Sequence, residues 1–208
     1  MKKVAVALHA IENVNLDLIK KLINLDFIHI DVMDGIFVNN TMLNLELFKT
    51  IKENFKIPII AHLMVKNPID YIQKIIQYVD VFFFHIEAED STNLVIKELK
   101  KYKKGIGLVL NPPTPIIKIV PFLEDIDFIL VMGVNPGWSG QKFIPETIEK
   151  VNKISKYKDK FSFEIDVDGG VNLENGKLLI NADILSSSST ILNAIDPNKV
   201  INSIKNLT

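Results

Sequence analysis

The sequence contains no cysteine, which excludes disulfide bonds, thiolate metal sites and a cysteine nucleophile. It also contains no arginine, so no planar guanidinium group is available to hold a carboxylate or a phosphate through two parallel hydrogen bonds. Any anion that the chain binds must therefore be held by backbone amides, hydroxyl groups or lysine. The lack of cysteine fits a cytoplasmic protein, and we expect that location.

Long apolar runs and long charged runs are missing as well. No segment approaches the roughly 18 uncharged apolar residues of a membrane helix, and the N-terminal apolar stretch is too short for a signal peptide. The 24 basic residues balance 25 acidic ones, without a charge run that would favour nucleic acid or an anionic membrane. We therefore expect a small-molecule partner, no nucleic acid and no membrane. We further expect a homo-oligomer.

What the chain does have is a core large enough for one domain over residues 1–208, since 48% of its residues are hydrophobic. Apolar runs alternate with helical patterns along the chain. Buried strands separated by helices favour a parallel sheet, and eight such units in this length predict an α/β fold, a closed (β/α)8 TIM barrel. An open doubly wound sheet is the alternative, but no Gly-x-Gly-x-x-Gly follows the first strand and no Walker loop occurs.

Polar side chains stand at the ends of three predicted strands. His29 and Asp31 alternate onto one face of the second strand, His62 ends the third, and Asp168 ends the seventh. In a closed barrel the carboxyl ends of the strands share one mouth, so we expect these four side chains to meet there. The donor set suits a divalent cation, Zn2+ first, with Fe2+, Mn2+ or Co2+ as alternatives. A metal-free buried ion pair is the simpler interpretation of His29 and Asp31 alone.

Other residues at the strand ends allow two interpretations. Met33, Met64 and Met132 are expected to fill space there, and a dry thioether wall over a reacting centre is the alternative. His85 and Glu87 share a face after the fourth strand, which we interpret as a satisfied surface pair. We expect His9 to be structural.

Three loops are rich in groups that can bind an anion. The loop at residues 135–141 has two glycines, Gly169 and Gly170 follow the seventh strand, and serines occupy residues 186–189 after the eighth. Glycine lets backbone N–H groups converge on an anion, and phosphate sites in these barrels commonly use the loops after strands seven and eight. These loops therefore predict a phosphate site.

Six short motifs, in the same order along the chain, resemble those of the ribulose-phosphate 3-epimerases. They are HIDVMDGIFVNN at residues 29–40, HLM at 62–64, H-x-E at 85–87, NP-x-TP at 111–115, M-x-VNPG with GQ-x-F at 132–143, and DGG at 168–170. The resemblance implies a (β/α)8 barrel that inverts C3 of a ketose phosphate, interconverting D-ribulose 5-phosphate and D-xylulose 5-phosphate with one divalent metal.

Specific roles follow from the same resemblance. It implies that His29, Asp31, His62 and Asp168 ligate the metal, and that Asp31 and Asp168 are the acid and base of a two-aspartate proton transfer through an enediolate. The substrate-binding residues that it implies are Met33, Met64, Met132, Gly137, Trp138, Ser139, Gly140, Gly169, Gly170, Ser188 and Ser189.

Departures from the family pattern leave alternatives open. Ala7 stands where the family has a serine, although His9 shares its face, and Ser188 and Ser189 replace a glycine and a serine. The alternatives are an epimerase of a six-carbon ketose phosphate such as D-allulose 6-phosphate, and a non-catalytic sugar-phosphate-binding relative. A lyase of the orotidine-decarboxylase type is disfavoured, because the segment that would carry its Asp-x-Lys-x-x-Asp motif has no lysine.

Overall fold

The computed structural model describes residues 1–11, 13–138 and 140–207, which alternate between strands and helices. The strands in these ranges are β1 (Lys3–His9), β2 (Phe27–Asp34), β3 (Thr41–Met42), β4 (Ile59–Met64), β5 (Val81–His85), β6 (Gly105–Leu110), β7 (Phe128–Met132), β8 (Glu164–Asp168) and β9 (Ile184–Ser187). The helices are α1 (Leu16–Lys20), α2 (Glu46–Asn54), α3 (Pro68–Ile75), α4 (Thr92–Lys101), α5 (Glu146–Ser155), α6 (Leu173–Gly176), α7 (Ser189–Leu192) and α8 (Pro197–Lys205).

Eight of the described strands form a closed parallel barrel. Their order is β1-β9-β8-β7-β6-β5-β4-β2, and hydrogen bonds between β1 and β2 close the ring. The predicted (β/α)8 barrel is therefore confirmed. The two-residue strand β3 was not predicted; it pairs antiparallel with the end of β2, setting Met42 beside Met33.

The helices begin and end where the side chains dictate. At the start of α8, Asp196 accepts a hydrogen bond from the Lys199 amide at 3.0 Å, and Pro197 occupies the first turn, where its missing N–H costs nothing. The helix predicted at residues 116–120 is instead two short 3₁₀ turns, Ile116–Lys118 and Val120–Phe122. No helix in the described ranges is both long enough and apolar enough to cross a bilayer.

The inside of the barrel is apolar at one end and polar at the other. Phe27, Ile60, Phe83 and Leu130 are buried in one cluster that fills the lower part of the barrel. Gly107 makes this packing fit, because a Cβ atom there would lie 2.0 Å from the ring of Phe83. Polar side chains therefore stand above a filled apolar floor, toward the carboxyl ends of the strands.

Candidate metal centre

Four side chains from three strands meet in the upper part of the barrel. Residues 29 and 31 alternate onto the inner face of β2, and the register sets Asp31 beside His62 of β4. Asp168 ends β8, on the other side of the barrel opening. One ligand atom from each of His29, Asp31, His62 and Asp168 lies within 4.8 Å of the other three. The four residues that the sequence grouped are thus together.

The distances suit a small four-coordinate cation. Asp31 Oδ1 lies 3.1 Å from His29 Nε2 and 2.8 Å from His62 Nδ1. Asp168 Oδ2 lies 3.9 Å and 4.0 Å from the same two nitrogens. Ligands about 2.1 Å from a tetrahedral Zn2+ are separated by about 3.4 Å, the middle of this range. Two imidazole nitrogens and two carboxylate oxygens are also a donor set that this ion favours. The residues therefore fit a divalent metal.

Burial and the mutual contacts shift the pKa values within this cluster. Burial acts to lower the pKa of His29, but the Asp31 hydrogen bond and the Asp31 and Asp168 charges raise it to about 9. Burial acts to raise the pKa of Asp31, yet the hydrogen bonds and charges of the two histidines hold it well below its usual range. Burial raises the pKa of Asp168 to about 6, against the His29 charge and helped by that of Asp31. The two aspartates are therefore not equivalent.

The far side of the His62 ring contacts a second histidine. His62 Nε2 lies 3.0 Å from His85 Nε2, and the rings stack with centroids 5.1 Å apart. His85 Nδ1 in turn lies 3.4 Å from Glu87 Oε2, while Glu87 Oε1 accepts hydrogen bonds from the Asn111 amide and the Thr114 hydroxyl. His85 is only 1% exposed. The surface-pair interpretation was therefore wrong: the ring lies behind a candidate ligand.

The far side of the His29 ring contacts a hydroxyl. Ser186 Oγ lies 3.4 Å from His29 Nδ1 and donates to the Asp166 carboxylate, with oxygen separations of 3.0 and 2.9 Å. All three side chains are fully buried. Burial, opposed by the His29 charge, raises the pKa of Asp166 to about 6. The sequence had placed Ser186 only in a serine run and had given Asp166 no role.

A cavity opens above the two aspartates at the barrel mouth. Asp31, Asp168 and His9 line it, together with Ala7. The predicted substrate-binding residues that line it are Met33, Met64, Met132, Gly137, Trp138, Gly140, Gly169, Gly170, Ser188 and Ser189. Ser139 lies outside the described residues. His9, expected to be structural, thus borders the cavity, with Nε2 3.9 Å from Asp31 Oδ2.

The rim of the cavity is built from loops that contact one another. Asn40 donates from Nδ2 to the Gly137 carbonyl at 3.0 Å, which joins the loop after β2 to the loop after β7. Gly170 adopts a φ of +68°, and a Cβ atom there would lie 3.0 Å from the Phe143 amide nitrogen. Glycine at this position lets the loop after β8 pack closely beside the loop after β7.

Comparisons with known proteins agree with this geometry. The family described as the ribulose-phosphate 3 epimerase family matches residues 3–192. Ribulose-phosphate 3-epimerase of Methanocaldococcus jannaschii is 37% identical over 186 residues, covering 88% of this chain and 78% of that protein. The Bacillus subtilis enzyme of the same name is 36% identical, covering 86% of each chain. The Escherichia coli K12 enzyme is 35% identical, covering 86% of this chain and 83% of its own.

Solved structures share the fold at lower identity. The 3-hexulose-6-phosphate synthase of Salmonella typhimurium gives a TM-score of 0.74 at 18% identity, covering 99% of this chain and 97% of its own. KGPDC of Streptococcus mutans, in complex with a sugar phosphate, gives 0.74 at 15% identity, covering 99% and 96% of the two chains.

The fold and the site define a (β/α)8-barrel enzyme with a candidate divalent-metal centre at the mouth of the barrel. The sequence match narrows the class. The chain belongs to the ribulose-phosphate 3-epimerase family and is an epimerase, an isomerase acting on carbohydrates.

Proposed function

We propose that the chain inverts C3 of a ketose phosphate and interconverts D-ribulose 5-phosphate and D-xylulose 5-phosphate. The observation that carries the proposal is the position of two carboxylates, Asp31 and Asp168, on strands from opposite sides of one cavity. Inversion at a carbon needs one group to take a proton from one face and another to deliver a proton to the opposite face. Two aspartates on separate strands suit that task.

The side chains around the aspartates support this chemistry. His29, Asp31, His62 and Asp168 would hold the metal, with Zn2+ favoured and Fe2+, Mn2+ or Co2+ as alternatives. When bound, a divalent cation supplies Lewis-acid stabilisation of the negative charge that develops beside a ketone as the proton leaves.

Asp31 and Asp168 exchange roles between the two directions of the reaction. The group that removes the C3 proton in one direction returns a proton in the other. Met33, Met64 and Met132 are at most 3% exposed and border the cavity, so they keep water away from the exposed carbanionic carbon of the enediolate.

The phosphate of the substrate is assigned to the loops after β7, β8 and β9. These loops supply Gly137, Gly140, Gly169 and Gly170, with Trp138 at the rim, and they all border the cavity. Ser188 and Ser189 add hydroxyl groups, in a chain that has no arginine to take this role. The phosphate-binding role proposed for Ser139 rests on the sequence alone.

Deuterium exchange tests the proposal directly. Purified protein, supplied with Zn2+, is incubated in D2O with D-ribulose 5-phosphate and, separately, with D-allulose 6-phosphate. We expect deuterium at C3 together with D-xylulose 5-phosphate in the first reaction. Faster turnover of the six-carbon sugar would favour the alternative epimerase. No exchange with either sugar would contradict catalysis and favour a binding protein.

Three further expectations accompany the function. One catalytic domain over residues 1–208, a homo-oligomer and a cytoplasmic location stay predictions. Sedimentation of the purified protein measures the second, and microscopy of a tagged copy in its own cell measures the third.

A further inference from the structure

The second nitrogen of His29 lies against a buried pair that the reaction itself does not use. His29 Nε2 faces the two aspartates of the centre, while Nδ1 lies 3.4 Å from Ser186 Oγ. Ser186 Oγ is also 2.9 and 3.0 Å from the two oxygens of Asp166. None of the three side chains is exposed to water, so no solvent molecule competes from the surface for these contacts.

The direction of the hydrogen bonds fixes where the proton of the imidazole sits. A hydroxyl has one hydrogen to donate, and a carboxylate accepts without donating. Ser186 therefore donates to Asp166, which leaves its oxygen lone pairs facing His29 Nδ1. The ring then donates from Nδ1, and its Nε2 keeps a free lone pair directed toward the centre, as a metal ligand requires.

The barrel brings these residues together across an intervening strand. Ser186 lies on β9 and His29 on β2, and β1 runs between them. Neighbouring strands are about 4.8 Å apart, so the two backbones are separated by about 10 Å. The β1 residues in register with them are Ala5, beside Ser186, and Ala7, beside His29. Two methyl side chains leave the space through which the hydroxyl reaches the ring.

We propose that Ser186 and Asp166 are positioning residues, a buried hydroxyl–carboxylate relay that holds the tautomer and the orientation of His29 for metal binding. The relay contacts neither substrate nor metal and acts only through the His29 ring. This inference rests on the proposed role of His29 as a metal ligand. Outer contacts of this kind typically change metal affinity by about 10- to 100-fold.

Zn2+ affinity, measured by competition with a chromophoric chelator, tests the relay. We expect Ser186→Ala to weaken binding by about 10- to 100-fold, and Asp166→Asn to weaken it in the same direction. Ser187→Ala is the matched control, because that serine is the next residue along the strand and donates to the Val171 carbonyl at 3.0 Å. Its Zn2+ affinity should equal that of the unmodified protein.

Two further measurements separate positioning from general damage to the barrel. The visible absorption spectrum of the Co2+-loaded protein reports ligand geometry, and we expect it to change in Ser186→Ala and not in Ser187→Ala. The double variant Ser186→Ala with Asp166→Glu lengthens the carboxylate by one methylene into the space that the hydroxyl left. We expect it to recover most of the lost Zn2+ affinity.

The outcomes distinguish the relay from the metal centre itself. An unmodified protein that binds no Zn2+ would overturn both the proposed centre and the relay. Normal binding by the unmodified protein with equal affinities in Ser186→Ala and Ser187→Ala would overturn only the relay. A loss in Ser186→Ala that the longer carboxylate does not restore would also overturn it, because lost packing would then explain the effect.

Discussion

Asp168→Asn separates the proton-carrying role of this side chain from its place in the barrel. Asparagine has nearly the same shape and keeps one oxygen, but its amide cannot accept a proton from carbon. Asp168 Oδ2 is 3.9 and 4.0 Å from the two imidazole nitrogens, so no close hydrogen bond to His29 or His62 is lost. We therefore expect a folded protein that keeps His29, Asp31 and His62 in place.

The expected loss of turnover follows from the role of the carboxylate. A positioned general acid or base contributes about 10²- to 10⁴-fold to a rate, which corresponds to about 3 to 5 kcal/mol in the activation barrier. We expect epimerisation to fall by at least that factor in both directions, because each direction needs both aspartates. Glu164→Gln is the control: it makes the same change at the other end of β8, in a partly exposed ion pair with Lys3.

Isotope exchange gives the sharper result. With Asp168 disabled, Asp31 can still remove and return the C3 proton on its own face, which exchanges that proton without inverting the carbon. Asp168→Asn should therefore exchange deuterium into only one of the two pentulose phosphates, and Asp31→Asn into only the other. NMR in D2O at saturating Zn2+ measures both. Inversion near the unmodified rate in either variant, or the same exchange pattern in both, would refute the two-aspartate assignment.

Four other predictions follow from the same structure. Metal removal by a chelator should lower the melting temperature, since a ligand at 100 times its dissociation constant stabilises by about 2.7 kcal/mol; an unchanged temperature would contradict the site. Zn2+ binding at pH 7 should release about one proton, because a pKa of about 9 keeps metal-free His29 protonated until Zn2+ displaces that proton, with the release disappearing well above pH 9. Calorimetry in two buffers of different ionisation heat measures it, and a buffer-independent heat would count against it. Glu87→Gln should weaken Zn2+ binding about 10-fold through His85, measured by chelator competition. Gly107→Ala should lower the free energy of unfolding by about 1 to 3 kcal/mol, since its Cβ would lie 2.0 Å from Phe83; urea denaturation should show a smaller loss in a Phe83→Leu background.

The sequence was sufficient for the fold and for the four clustered ligands because both depend on short-range periodicity. Alternation along a strand places His29 and Asp31 on one face whatever the rest of the chain does. Once the strands are parallel and closed, the ends that carry His62 and Asp168 must come to the same mouth. The confirmed barrel therefore brings the four residues together without further information.

What the sequence could not supply were contacts between strands that are not neighbours. The contact between Ser186 and His29 passes over β1 and depends on the small size of Ala5 and Ala7, which no local pattern reveals. His85 was misjudged for a related reason. A histidine at a strand end is exposed or buried according to the loops above it, and here Phe37, from the loop after β2, lies with its ring centroid 4.8 Å from that of His85.

The unequal surroundings of the two aspartates bear on how one site can work in both directions. Asp31 accepts from both imidazoles, which stabilise its ionised form, whereas Asp168 has no imidazole closer than 3.9 Å and a pKa raised to about 6. Carboxylates whose pKa values are pushed apart are suited to opposite roles, one as a base and the other as an acid. A reversible epimerase needs each aspartate to serve in both roles, so this difference has to narrow during turnover. The metal charge acts in that direction, because a cation beside both carboxylates stabilises the ionised form of Asp168, whereas Asp31 is already ionised without it.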